Sequence, residues 1–266
     1  ALAPEEAEGW ESPQIWFAHA AVTTPEAHHV AERIARGGIG QAGVRAAPFE
    51  AWIDNWAMAG PDFDQMQLTA TGTDFAYDMA LTAQGPLIFQ GDRGYSVKSE
   101  EGQASYYYSQ PFFAVDGILT LHDGDVAVPG QAWLDREWSS QPLSDSQTGW
   151  DWFSLSFDDG TKMMGFRLRQ TNGAHFTAGT WITADGGTTP FENGVLQADP
   201  VEARPVNGRA IPATWRVTVP QKGVDITVAA LTPNAWKDVS VPYWEGPVTV
   251  SGSHSGRGYL EMTGYE

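Results

Sequence analysis

The sequence predicts an all-β protein, folded as barrels or sandwiches, on three observations. Runs of alternating apolar and polar residues, rich in β-branched and aromatic side chains, recur along the 266-residue chain. Asp-Gly, Gly-Gly and Asn-Gly turns separate these runs, and stretches with helical periodicity are few. Many short strands divided by turns are typical of antiparallel barrels and sandwiches.

The individual strands follow from period-2 alternation between turn signals. They are predicted at residues 14–22, 49–56, 66–71, 75–82, 118–121, 132–138, 150–157, 163–169, 181–184, 215–220, 224–231, 248–251 and 259–263. Residues 23–36 are predicted to form one or two helical turns, with Thr24 as the N-cap and Gly37 as the stop. The first dozen residues are acidic and rich in turn formers, so we expect a loop or a disordered segment there.

Charge and composition exclude several function classes. The chain has 33 acidic and 15 basic residues, a formal net charge of -18, which argues against nucleic acid and anionic lipid as partners. It has no cysteine, which excludes disulfides, thiolate metal sites and a cysteine nucleophile. No apolar run is long enough for an integral membrane segment, and no signal peptide is visible. The Gly-x-Gly-x-x-Gly at 38–43 lacks a surrounding βαβ pattern, and the six histidines show no metal-binding spacing.

A weak internal repeat indicates a duplicated β domain. Residues 116–121 resemble residues 245–250, and residues 130–135 parallel residues 256–261, so the repeat aligns Asp135 with Glu261. Chance similarity between two acidic hairpins is the alternative. The repeat predicts one domain over residues 1–140 and a second over residues 141–266.

The densest candidate cluster for chemistry lies in the strand at 132–138. Alternation places Trp133, Asp135 and Glu137 on one face. If that face is enclosed, burial and mutual repulsion raise the pKa of one carboxyl group, which then serves as a general acid. The alternatives are a solvated face and ion pairs between these carboxylates and arginines.

Further candidates for ligand binding are aromatic side chains near polar groups. Alternation places Trp150 and Trp152 on one face of their strand and Asp151 on the other, and a tyrosine run supplies Tyr107 and Tyr108. Ordinary core packing is the alternative for all of them. Two polar candidates complete the set: Arg93, in a turn, to neutralise a carboxylate, and His19, as a core or pocket histidine.

Several motifs, in order along the chain, carry a resemblance to a known family. They lie at 12–21, 32–38, 90–96, 104–111, 130–141 (Gly-Gln-Ala-Trp-Leu-Asp-Arg-Glu-Trp-Ser-Ser-Gln), 149–155 (Gly-Trp-Asp-Trp-Phe-Ser-Leu) and 256–265. Together they resemble the AttH-like family, which is related to hydroxyneurosporene synthase, a carotenoid 1,2-hydratase. The resemblance implies two tandem lipocalin-like β-barrel domains and a periplasmic or secreted location. Family members usually begin with a further segment, including a Glu-Trp-Trp-Tyr strand, so we expect the first barrel to lack its opening strands here.

The resemblance also implies a chemistry. The hydratase branch adds water to a terminal C=C bond of a carotenoid without a cofactor, and an aspartic acid two residues after an aromatic residue protonates the alkene. The matching positions are Trp133 and Asp135, with Glu137 placed to accept the proton of water. Hydratases resemble Tyr-x-Asp-His-x-Trp-Gly at this place, whereas this chain has Trp-Leu-Asp-Arg-Glu-Trp-Ser.

Three hypotheses about function therefore stand. The first is a cofactor-independent, hydratase-like lyase acting on a lipophilic, isoprenoid-like substrate. The second is a non-catalytic binder of a hydrophobic small molecule. The third is a secreted hydrolase that uses the carboxylates of Asp135 and Glu137. None of them invokes a metal or a cofactor.

Overall fold

The computed structural model describes residues 9–140 and 143–265. Over these residues the fold is all-β, with two curled antiparallel sheets of the tandem lipocalin-like kind, and the predicted fold class is confirmed. Single turns of 3-10 helix occur at Gly9–Glu11 and Pro220–Lys222. The loop expected over the first dozen residues falls mostly on residues 1–8, which lie outside the described residues.

The strands, numbered in chain order, account for most of the described chain. They are β1 Ile15–Thr23, β2 His28–Arg36, β3 Ala42–Arg45, β4 Phe49–Ile53, β5 Trp56–Gly60, β6 Gln65–Thr71, β7 Ala76–Ala83, β8 Ile88–Phe89, β9 Tyr95–Val97, β10 Ala104–Leu121, β11 Gly124–Ala127, β12 Gly130–Trp138, β13 Gln147–Phe157, β14 Lys162–Gln170, β15 His175–Ile182, β16 Thr188–Phe191, β17 Gln197–Val206, β18 Arg209–Val219, β19 Val224–Ala230, β20 Trp236–Lys237, β21 Tyr243–Gly252 and β22 Gly256–Met262.

The chain divides into two compact units, which are described separately. Unit 1 comprises Ala1–Val22, His29–Pro86 and Gln110–Leu134, and unit 2 comprises Thr23–His28, Leu87–Ser109 and Asp135–Glu266. The strands β10 and β12 each contribute residues to both units. The boundary predicted between residues 140 and 141 stays a prediction.

Unit 1 is built from a two-stranded sheet of β1 and β2 and a meander in which β3 to β7 pair consecutively. The predicted helical turns at 23–36 are wrong, because most of this segment is the strand β2. Its backbone groups find partners in β1, and this tertiary pairing outweighs a weak local helix pattern. The single strand predicted at 49–56 is instead a hairpin of β4 and β5, which turns at Asp54 with φ 51°. Aspartate and asparagine tolerate this left-handed backbone, which two-residue hairpin turns require.

Unit 2 contains the strand order β16-β15-β14-β13-β22-β21-β19-β18-β17. One face of this sheet carries a dense apolar core. Alternate residues of β13, Phe153 and Leu155, are fully buried on it, together with Trp215 and Trp244. Because these large side chains pack against one another on this face, a ligand of unit 2 is expected on the other face of the sheet.

A buried charge cluster surrounds Asp151, whose side chain lies on the core face of β13. Trp150 lies on the opposite face of the same strand. The Asp151 carboxylate is fully buried and accepts hydrogen bonds from Arg167 Nε at 3.0 Å and Tyr265 Oη at 2.9 Å, and it also pairs with Arg169. These donors compensate the cost of removing the carboxylate from water. The predicted division of β13 into two faces is therefore present.

Two further features of the described residues bear on function. Among them, no helix has the length and apolar character needed to cross a lipid bilayer. In the same part of the chain, no group of three or more histidine or acidic side chains is arranged to hold a metal ion.

Candidate functional site

The candidate site in unit 2 begins with the two carboxylates at the end of β12. This strand pairs with β10, and successive side chains of a strand alternate between faces. Ser109 Oγ donates a hydrogen bond to Asp135 Oδ1, and Ser105 Oγ donates one to Glu137 Oε1. Two serines four residues apart on β10 thus hold two carboxylates two residues apart on β12.

Tyr107 joins Asp135 to the sheet of unit 2. Its side chain is 2% exposed, and its hydroxyl accepts a hydrogen bond from Trp152 Nε1 at 3.0 Å and donates one to Asp135. Burial raises the pKa of Tyr107 well above its ordinary value, and the negative charges of Asp135 and Glu137 add to the effect. Tyr107 therefore stays neutral and acts as a hydrogen-bond donor.

Lys98 supplies the positive charge of this cluster. Its Nζ lies 2.8 Å from Glu137 Oε1 and 4.1 Å from the ring centroid of Phe166. Burial lowers the pKa of Lys98, while the charges of Glu137 and Asp135 oppose that effect. Arg93, predicted to neutralise a carboxylate, has a side chain that is 93% exposed, and its Nε lies 3.5 Å from Asp92 Oδ1.

Glu261 on β22 is another acidic residue of unit 2, and its surroundings differ from those of Asp135 and Glu137. In the register of the sheet it lies beside Trp152 on β13 and opposite Glu245 on β21, and Trp150 Nε1 donates a hydrogen bond to its Oε1 at 2.7 Å. Burial raises the pKa of Glu261 from 4.5 to about 7, helped by the charge of Glu245 and, more weakly, of Asp135. The hydrogen bond from Trp150 partly opposes this rise.

The neighbour of Glu261 on β21, Glu245, is itself paired with a positive charge. The Glu245 carboxylate forms an ion pair with the buried Lys237, whose Nζ also lies 3.2 Å from Tyr243 Oη. The charge of Glu245 makes a second negative charge at Glu261 unfavourable, while Lys237 partly offsets this effect.

The two carboxyl groups thus have opposite environments. Asp135 is exposed and accepts hydrogen bonds from Ser109 and Tyr107, whereas burial and the charge of Glu245 favour the neutral form of Glu261. A pair of acids with such separated environments can provide one proton donor and one proton acceptor near neutral pH.

Three other predicted residues lie elsewhere. Tyr108 alternates onto the opposite face of β10 from Tyr107, where its ring lies 6.2 Å from that of Trp138. His19 belongs to unit 1, where its Nε2 lies 3.0 Å from Glu32 Oε1. Trp133 is half-buried on β12 and also belongs to unit 1, so it is described apart from this site.

Sequence reasoning missed part of the site. Lys98 precedes an acidic loop, and no periodic pattern marks it as a site residue. Ser105 and Ser109 flank the tyrosine run, and nothing in the sequence pairs them with the two carboxylates. Glu261 did have a signal, because the repeat aligned it with Asp135, but its burial and its neighbour Glu245 depend on strand register.

Comparisons with known proteins agree with this fold. A model of the AttH-like family matches residues 1–265. The chain is similar to a crystal structure of an AttH protein from Nitrosomonas europaea, with 32% identity and a TM-score of 0.88, over 97% of this chain and 84% of that chain. It is also similar to kievitone hydratase from Nectria haematococca, with 17% identity and a TM-score of 0.75, over 95% of this chain and 81% of that chain, a likeness of fold. No curated protein sequence matches the chain.

Proposed function

Because the chain belongs to the AttH-like family, we propose that it is a cofactor-independent hydratase acting on a C=C bond of a lipophilic, isoprenoid-like substrate. The observation that carries the proposal is that unit 2 holds both Glu261, whose pKa is raised to about 7 by burial, and Asp135, a carboxylate that accepts hydrogen bonds from Ser109 and Tyr107. The fold shared with kievitone hydratase adds support. The resemblance supports a periplasmic or secreted location.

The first step is protonation of the alkene. Glu261 transfers its carboxyl proton to the less substituted carbon, the π electrons form the new C–H bond, and a tertiary carbocation remains on the other carbon. The half-buried indole of Trp152 presents an aromatic face, whose quadrupole stabilises a cation. The positive charge of Lys98 is balanced by Glu137, so it does not oppose this step.

The second step is capture of the cation by water. The water oxygen forms the C–O bond, Asp135 accepts the released proton, and exchange with solvent returns Asp135 and Glu261 to their starting states. The sequence alone led us to expect Asp135 as the acid. The hydrogen bonds that it receives from Ser109 and Tyr107 support the role of base instead, and burial supports Glu261 as the acid.

The two alternatives have less support. A binder that holds its ligand inside the barrel conflicts with the filled core face of unit 2, although the aromatic face around Trp150 and Trp152 remains available. In a hydrolase that uses the carboxylates of Asp135 and Glu137, one of the two, Glu137, is already held in an ion pair with Lys98.

The test is incubation of the protein with a lipid extract in H₂¹⁸O, followed by mass spectrometry. We expect a lipid that gains one ¹⁸O-labelled water, and we expect Asp135→Asn and Glu261→Gln to abolish this gain. Glu202→Gln, at an exposed carboxylate on β17, is the matched control and keeps the gain. A retained ligand of unchanged mass supports the binder, and labelling that persists in both site variants refutes the assignment.

A further inference from the structure

Two buried polar side chains, Gln90 and Ser109, lead to the exposed carboxylate of Asp135 in a chain of hydrogen bonds. Gln90 and Ser109 are both 0% exposed. Gln90 Nε2 donates a hydrogen bond to Ser109 Oγ at 2.8 Å, and Ser109 Oγ donates one to Asp135. The other end of the amide is unusual: within the described residues Gln90 Oε1 is buried and accepts no hydrogen bond.

The direction of this chain follows from the charge of Asp135. An ionised carboxylate can only accept, and a serine hydroxyl has one hydrogen, so Ser109 must donate to Asp135. Its oxygen then faces Gln90 as an acceptor, and Gln90 must present its NH₂ group. The unpartnered Oε1 is the consequence, and buried carbonyl groups are rarely left without a donor.

We infer that Gln90 and Ser109 are positioning residues that hold Asp135 in both of its protonation states by reversing the direction of this hydrogen-bond chain. The inference rests on the proposed function, in which Asp135 accepts a proton from water. The protonated carboxyl then donates to Ser109 Oγ, Ser109 turns its hydrogen toward Gln90, and the amide rotates so that Oε1 accepts. Only rotations are involved, and no proton leaves the chain.

The neighbouring groups favour a reversible hydrogen bond at Ser109 and a fixed one at Tyr107. The Gln90 backbone is fixed, because its N–H donates to Tyr107 O at 3.0 Å and its carbonyl accepts from Gly94 N at 3.0 Å. Tyr107 cannot reverse in the same way, because the indole N–H of Trp152 can only donate to it. Of these two partners of Asp135, Tyr107 is a fixed donor and Ser109 is reversible, while the charges of Lys98 and Glu261 also act on Asp135.

The test is a titration that needs no substrate, so its outcome is independent of whether hydration is observed. The ¹³C signal of the Asp135 carboxyl is followed against pH in protein labelled at aspartate, and it is assigned by its loss in Asp135→Asn. Ser109→Ala removes a charge-assisted hydrogen bond from the ionised form and a weaker, neutral one from the protonated form, so we expect the titration midpoint to rise by about half to one pH unit. Ser109→Thr keeps the hydroxyl and should stay within a few tenths of the parent.

Gln90→Met distinguishes a reversible hydrogen-bond chain from a glutamine that only donates to Ser109. Methionine has a similar length and no polar group, so in the reversible chain both protonation states lose a partner and the midpoint moves little. A glutamine that only donates would stabilise the ionised state alone, and its loss would raise the midpoint as Ser109→Ala does. That result, or an unchanged midpoint in Ser109→Ala, overturns the inference. Circular dichroism of each variant confirms that the β fold is retained.

Discussion

Replacing Glu261 by glutamine tests whether ionisation of Glu261 destabilises the folded protein. The measured quantity is the free energy of unfolding as a function of pH. Its pKa in the folded protein is about 7, against an ordinary value of 4.5, so the folded state holds the proton more tightly than the unfolded chain. Its contribution to stability is therefore complete below pH 4.5 and is lost as the pH rises through 7. A difference of about 2.5 between the two values, at 1.36 kcal/mol per pH unit, corresponds to about 3 kcal/mol.

Glutamine keeps an oxygen that accepts from Trp150 but cannot ionise. We therefore expect Glu261→Gln to match the parent near pH 4.5 and to exceed its free energy of unfolding by about 3 kcal/mol at pH 8.5. The assay is urea denaturation at a series of pH values, with tryptophan fluorescence as the probe. Glu202→Gln removes an exposed carboxylate and should follow the parent within about 0.5 kcal/mol at every pH. A constant difference between Glu261→Gln and the parent would refute the reasoning.

Three further substitutions test the site and its support. Tyr107→Phe removes the hydroxyl to which Trp152 donates, so we expect a loss of about 1–2 kcal/mol in urea denaturation; no loss would mean that the buried hydroxyl is not a required partner. Asp151→Ala leaves the buried Arg167 and the half-buried Arg169 without their carboxylate and should cost about 3–5 kcal/mol, measured in the same way. A loss below about 1 kcal/mol would contradict the role of this charge cluster. Trp150→Phe removes the hydrogen bond that lowers the pKa of Glu261, so the alkaline fall of hydration activity, expected near pH 7, should move to higher pH. A move to lower pH would contradict the assigned cause.

Local alternation was a good guide wherever a strand has one enclosed face. It placed Trp150 and Trp152 together and Asp151 on the other face, which is the arrangement in β13. It failed at residues 28–36, where pairing with β1 determines the structure, and at 49–56, where a turn at Asp54 divides the run. Period-2 patterns describe faces, but they do not identify which strand supplies the partner.

The site could be predicted only in part for the same reason. Asp135 and Glu137 stood out because two carboxylates beside aromatic residues are unusual in a strand. Their partners Lys98 and Tyr107 come from distant positions in the chain and meet them through strand pairing. The raised pKa of Glu261 likewise depends on its register opposite Glu245, which no local pattern encodes.

The central claim is that unit 2 holds a neutral carboxylic acid at Glu261 close to neutral pH, ready to protonate an alkene. A side-chain ¹³C NMR titration of protein labelled at glutamate measures this directly, with the Glu261 signal assigned by its loss in Glu261→Gln. The account predicts a midpoint of about 7 for this signal. A midpoint near the ordinary value of about 4.5 would leave Glu261 ionised at neutral pH and would contradict its role as the acid.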